Sequence, residues 1–162
     1  MKGETIDNTP LQRRRVLLAS SAGGHLAQLC RLEPWYRHCD VRWATFELPD
    51  ARSLLAGADV VWAYHPTTRS VRNLIRNTWL AIREIRSTRP DLIVSSGAAI
   101  AVPFFWIGKL YGAKTIYLEV IDRFDTRTMT ARLVSPVTDA FVVQDELQLE
   151  LFPGSHLIGR LL

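Results

Sequence analysis

Six short apolar runs, at 16–20, 41–46, 59–64, 92–96, 114–118 and 140–143, alternate along the chain with longer stretches of helical period. The runs are continuous in apolar residues, as strands covered on both faces are. Between them the pattern predicts helices over 25–35, 50–56, 70–86, 99–111, 128–134 and 145–151. Punctuation supports these limits. Ser70 suits an N-cap, Pro90 stops the longest helix, Pro103 falls near a first turn, and Gly112 suits a C-terminal stop. Pro34 is expected to end the helix that starts at His25. The apolar tail after 151 calls for a partner or a final strand.

Strand–helix alternation with right-handed crossovers gives a doubly wound, Rossmann-like parallel sheet of the α/β class. The chain has 162 residues, which suits one domain. Residues 1–14 read as a flexible polar tail and 15–162 as the domain. The net charge of +4, mostly excess arginine, is compatible with nucleic acid, anionic lipid or phosphorylated substrates and does not choose among them. No nucleic-acid recognition signature occurs, and the aromatics are not interleaved with the arginines. Two cysteines, Cys30 and Cys39, have no metal or framework spacing, and no metal site is expected. The start of the chain lacks a hydrophobic signal core, and no window reaches the roughly 18 apolar residues that span a bilayer.

Parallel sheets of this kind bind ligands outside the carboxyl ends of their strands. The loops there are 21–25, 97–99 and 119–126. Ser21-Ala22-Gly23-Gly24-His25 is a strand–turn–helix junction whose glycines let backbone N–H groups approach an anion, with the helix N-terminus adding positive potential. It is neither a dinucleotide fingerprint nor a P-loop. A tight turn that only packs the helix on the sheet is the plain alternative. His25 stands where the helix dipole disfavours imidazolium, and a neutral imidazole can take a proton from a hydroxyl. Glu119 ends the fifth strand and offers a second base or a ligand for sugar hydroxyls. Arg123, four residues on, could pair with a diphosphate or simply with Glu119. Gly97 and Thr126 complete the candidate diphosphate and acceptor set, though threonines at 126, 128 and 130 also suit caps and loop hydrogen bonds.

The 70–86 helix places Val71, Leu74, Ile75, Ile82 and Ile85 at helical spacing and gathers Arg69, Arg72, Arg76, Arg83 and Arg86 on an arc bordered by Trp79. With Arg13–Arg15 and with Phe104, Phe105 and Trp106, that arc suits the surface of an anionic membrane. A solvated face and a buried helix are the alternatives.

Taken together these residues resemble the Alg14/PssD family of glycosyltransferase subunits. The likeness rests on Ser21-Ala22-Gly23-Gly24-His25, Pro90-Asp91 and Gly97…Val102-Pro103. It continues through Lys114…Ile116-Tyr117-Leu118-Glu119 with Arg123, then Pro136…Asp139 and Phe141-Val142-Val143-Gln144. It implies the N-terminal, MurG-like half of a GT-B fold, acting as an acceptor-binding domain. It implies a polyprenyl-diphosphate-linked sugar as acceptor and a separate Alg13/PssE-like subunit docked through the C-terminal segment. That subunit would bind the nucleotide sugar, UDP-linked, with no other cofactor. Transfer would invert the anomeric centre, with His25 or Glu119 as base. Ser21, Gly23, Gly24, Gly97, Arg123 and Thr126 would hold the acceptor and its diphosphate. The expected location is peripheral, on the cytoplasmic face of a membrane, in exopolysaccharide or lipid-linked oligosaccharide synthesis. One half-cleft cannot hold both substrates, so the chain is expected to be inactive alone. A stand-alone nucleotide or small-molecule enzyme and a non-catalytic membrane scaffold are the competing readings.

Overall fold

The protein is described from a computed structural model covering residues 13–67, 69–121 and 126–161. Seven parallel strands are arranged in the order β3-β2-β1-β4-β5-β6-β7. They are β1 (Arg15–Ala19), β2 (Asp40–Phe46), β3 (Val60–Ala63), β4 (Leu92–Ser95), β5 (Lys114–Leu118), β6 (Ala140–Val143) and β7 (His156–Leu157). The order reverses between β1 and β4, which pair through Val16–Leu92 to Ala19–Ser95. That reversal opens a crevice at the carboxyl ends of these two strands. The seventh strand is two residues of the apolar tail, paired to β6 through Val142–His156 and Val143–Leu157.

Alternate residues of each strand feed two cores. Leu17, Ala19, Ile93 and Tyr117 join the layer under α4 (Val71–Thr88), α5 (Ala101–Leu110) and α6 (Met129–Val134). Val16, Leu18, Val94 and Leu118 join the layer under α1 (Gly24–Cys30) and α3 (Pro49–Leu54). Helix α5 rides close on the sheet because Gly108 carries no side chain. A Cβ there would lie 2.2 Å from Ile93 Cδ1. Among the described residues, no helix is long and apolar enough to cross a membrane.

Three expectations change. The single helix over 25–35 is two, α1 and the short α2 (Glu33–Tyr36), and Pro34 sits in the first turn of α2 rather than at an end. A first turn needs no proline N–H, which is why proline is tolerated there. Next, the apolar residues of the N-terminal half of α4 do not face the core. Val71, Leu74, Ile75 and Trp79 are exposed, and Asn73, Asn77, Leu80, Ala81, Glu84 and Ile85 are buried instead. The buried asparagines bind backbone. Asn73 Nδ2 donates to the Pro66 carbonyl at 2.8 Å, and Asn77 bonds both the N–H and the carbonyl of Tyr64. Lastly, Phe104 and Phe105 are fully buried, so of that aromatic group only Trp106 reaches the surface.

Candidate functional site

The loops after β1, β4 and β5 meet in a cavity of about 510 Å³ at the carboxyl rim of the sheet. Its polar lining comes from His25, Gln28, Tyr117, Glu119, Thr128 and Thr130, with Gly24 and Ala98 at its edge and Val120 and Ile121 completing it. A second cavity, of about 390 Å³, lies at the opposite rim and is lined by Arg15, Asp40, Arg42 and Asp59. There Arg42 is already paired with Asp59, and Arg15 with Asp91. The carboxyl-rim cavity is the candidate site, because this fold directs strand-end loops to that side.

His25 is held from the neighbouring loop. Its Nδ1 lies 2.6 Å from the Ser96 carbonyl oxygen, and the Ser96 hydroxyl donates to the His25 carbonyl at 2.8 Å. A carbonyl oxygen can only accept, so Nδ1 carries the proton. In the neutral ring the lone pair then belongs to Nε2. The loop that supplies Ser96 is fixed by Ser95, whose Oγ accepts from the Gly97 N–H at 3.1 Å.

Gly97 determines how closely the ring can approach. Its φ is +112°, and a Cβ would fall 2.9 Å from Tyr117 Oη and 3.2 Å from His25 Cε1. Tyr117 Oη in turn lies 3.3 Å from Thr128 Oγ1, and Thr128 also caps α6 through the Ala131 N–H at 3.0 Å. Glu119 is 1% exposed. Its Oε1 accepts from the Val120 N–H at 3.1 Å, and its own N–H donates to the Val142 carbonyl at 2.9 Å.

The glycine bend is more committed than its sequence shows. Gly23 has φ +77°, and its N–H donates to Asp50 Oδ2 at 2.7 Å, from the first turn of α3. The first helical bond of α1 runs from the Ala27 N–H to the Gly23 carbonyl. The amides of Gly24, His25 and Leu26 therefore precede the helical ladder, as the first amides of any helix do.

Of the residues picked out from sequence, His25, Gly24 and Glu119 meet in one cavity, and Gly97 packs against His25. Ser21 and Gly23 lie on the bend but do not line the cavity, and Thr126 is exposed and outside its lining. Arg123 lies outside the described residues. Ala98 belongs to the 97–99 loop expected at the cleft, whereas Gln28 and Tyr117 were not foreseen as lining it. Gln28 falls one turn after Gly24 on α1, a spacing that could have revealed it. Glu47 directly follows β2, where a dinucleotide-binding fold places its ribose carboxylate, and is bound to Arg52 at 2.7 Å. Among the described residues, no three His, Cys, Asp or Glu side chains cluster as a metal would need.

A family model described as "Oligosaccharide biosynthesis protein Alg14 like" matches residues 60–161, more than half of the chain. The chain belongs to the Alg14-like family. The human protein named UDP-N-acetylglucosamine transferase subunit ALG14 is 25% identical, over 97% of this chain and 87% of that protein. Its rat counterpart is 24% identical, over 94% and 85%. Among solved structures, Acinetobacter baumannii MurG superposes with a TM-score of 0.71 at 16% identity, over 90% of this chain and 44% of MurG. The UDP-N-acetylglucosamine 2-epimerase of Rickettsia bellii superposes with a TM-score of 0.72 at 12% identity, over 92% and 45%. This chain thus spans less than half of each of those structures. Its Alg14-like fold is one Rossmann-like half of a GT-B architecture.

Proposed function

We propose that this chain is the acceptor-binding subunit of a two-subunit glycosyltransferase. The observation that carries the reading is the convergence of His25 and Glu119, from two different strand-end loops, on one cavity. The curated relatives' name, a transferase subunit, and the match to half of a GT-B structure support the division of labour. The acceptor is a polyprenyl-diphosphate-linked sugar. A second, Alg13/PssE-like polypeptide docks through the C-terminal segment and brings a UDP-linked sugar over the cavity. The pathway is exopolysaccharide or lipid-linked oligosaccharide synthesis.

In the transfer, an acceptor hydroxyl in the cavity loses its proton to His25 Nε2 as its oxygen attacks the donor's anomeric carbon. The bond from that carbon to the diphosphate breaks, UDP leaves with the electron pair, and the configuration inverts. The Ser96 carbonyl keeps the ring in the tautomer this needs and stabilises the imidazolium that forms. Glu119 orients sugar hydroxyls. The first amides of α1 and, from sequence, Arg123 meet the diphosphate of the prenyl-linked acceptor. Asp50 at the Gly23 amide confines that anion contact to Gly24 and the amides after it.

The membrane face is the exposed stripe of α4. Val71, Leu74, Ile75 and Trp79 share one side, with Trp106 and Leu133 exposed beside it and Arg72, Arg76 and Arg83 exposed along the helix. Apolar residues with flanking arginine suit an anionic headgroup layer on the cytoplasmic face.

The test is titration of the purified chain with UDP-N-acetylglucosamine and with farnesyl-diphosphate-linked N-acetylglucosamine, followed by turnover assays with and without a partner captured from native membranes. Binding of the prenyl-linked sugar alone, with turnover only in the complex, is expected. Micromolar binding of the nucleotide sugar by the isolated chain, or turnover without a partner, would overturn the assignment.

A further inference from the structure

Three buried glutamines stand behind the cavity: Gln28 on α1, Gln144 after β6, and Gln148 on α7 (Leu147–Leu151). Gln144 Nε2 donates to Gln28 Oε1 at 2.8 Å and to the Glu119 carbonyl at 2.9 Å, while Gln144 Oε1 accepts from the Leu161 N–H at 3.0 Å. Gln148 Oε1 accepts from the backbone N–H groups of Gln144 (2.9 Å) and Asp145 (3.3 Å), and its Nε2 donates to the Val120 carbonyl at 2.7 Å. The amide of Gln144 fits in one orientation only, since a flip would set its oxygen against the Glu119 carbonyl. Buried amides are costly unless bonded, and leucine or methionine would fill this space without that cost. What the amides supply is a fixed connection.

That connection joins two places. At one end, Gln28 and Glu119 line the cavity. With its Oε1 turned towards Gln144, Gln28 has its NH₂ donor free to face anything bound there. At the other end is the C-terminal segment, held by two residues of β7, by the Ile158 N–H on the Val143 carbonyl at 3.0 Å, and by Arg160 on Asp145 at 2.8 Å. His156, Leu157 and Ile158 remain exposed. A segment so lightly attached, with an apolar exposed surface, responds to whatever docks on it.

We propose that Gln144 is a positioning residue that sets the cavity groups of Gln28 and Glu119 according to the placement of the C-terminal segment. Its consequence for catalysis rests on reading the cavity as the acceptor site. Docking on the segment and binding in the cavity then strengthen one another by the same factor.

The experiment uses the full chain, isotope-labelled, as wild type, Leu161→Pro, Gln144→Met and the double variant. Leu161→Pro deletes the N–H that Gln144 accepts and alters no cavity side chain. Two readouts are taken on the folded proteins: the resonances of the Gln28 side-chain amide and the Val120 and Ile121 backbone, and the affinity for farnesyl-diphosphate-linked N-acetylglucosamine. Both single variants are expected to move those resonances and to weaken the probe by roughly tenfold. The double variant is expected to be no weaker than Gln144→Met alone. Unmoved resonances in Leu161→Pro, or additive losses in the double variant, overturn the proposal. If Gln144→Met does not fold, Leu161→Pro decides by itself. Moved resonances in a chain whose wild type ignores the probe uphold the positioning role and remove the acceptor reading instead.

Discussion

Asn77 pairs with the backbone of Tyr64 as a strand residue would, accepting its N–H at 2.8 Å and donating to its carbonyl at 2.9 Å. The two bonds tie the end of β3 to the middle of α4. Replacing Asn77 with leucine leaves both Tyr64 groups without this partner, and the expected cost is about 2–3 kcal/mol in urea unfolding. A loss below about 0.5 kcal/mol would mean that the two groups find other partners.

The same helix predicts a separable surface property. Trp79 is 69% exposed and Val71 71%, so Ile75→Glu with Trp79→Glu is expected to leave stability nearly unchanged, as surface substitutions do. Sedimentation with vesicles containing anionic phospholipid should fall sharply for this pair. Undiminished sedimentation would move the membrane face elsewhere.

His25→Ala in the assembled enzyme is expected to lower kcat by about 10²–10³-fold with little change in acceptor KM, the signature of a lost general base. Glu119→Gln is expected to act mainly on KM. Full turnover in His25→Ala would transfer the role of base to another group.

Gly97→Ala forces a methyl against Tyr117 Oη and His25 Cε1 at a φ that disfavours any side chain. Destabilisation of about 1–3 kcal/mol is expected, together with loss of turnover in the fraction that stays folded. A fully active variant would show that the His25–Tyr117 approach is not needed.

Acid stability should follow Asp139. Burial opposes its ionisation, but hydrogen bonds from Lys109 and from the Thr115 amide and hydroxyl outweigh burial and draw its pKa from 3.8 to about 2. A carboxyl depressed in this way stabilises the fold above its unfolded value. The contribution disappears as pH falls from about 4 towards 2. It amounts to about 1–2 kcal/mol. Asp139→Asn should flatten the pH dependence of the melting temperature in that window. An unchanged slope would place the acid-sensitive group elsewhere.

The parallel sheet was legible because buried strands write themselves as unbroken apolar runs, and 114–118 and 140–143 match β5 and β6 at both ends. Which face of α4 is buried was not legible. Periodicity ranks Val71 and Leu74 above Asn73 and Asn77, and only tertiary contacts with Pro66 and Tyr64 reverse that ranking. His25 and Glu119 were readable as strand-end polar residues. Tyr117 was not, since an aromatic in a strand looks like ordinary core until the loops meet, and Gln28 carried only its one-turn spacing from Gly24. Asp50 was hidden for the same reason, lying 27 residues from the amide it occupies.

Arg15 with Asp91, Arg42 with Asp59, and Lys109 and Lys114 with Asp139 pair at the end away from the cavity, whereas the carboxyl ends carry Arg52 with Glu47 and Arg160 with Asp145. One end of the molecule is thus a riveted base and the other a workbench. High salt should loosen the base and, at the other end, the Arg160–Asp145 contact that holds the C-terminal segment. A scan of substitutions across the chain would therefore find damage to folding at both ends of the strands, and damage to chemistry at the carboxyl ends alone.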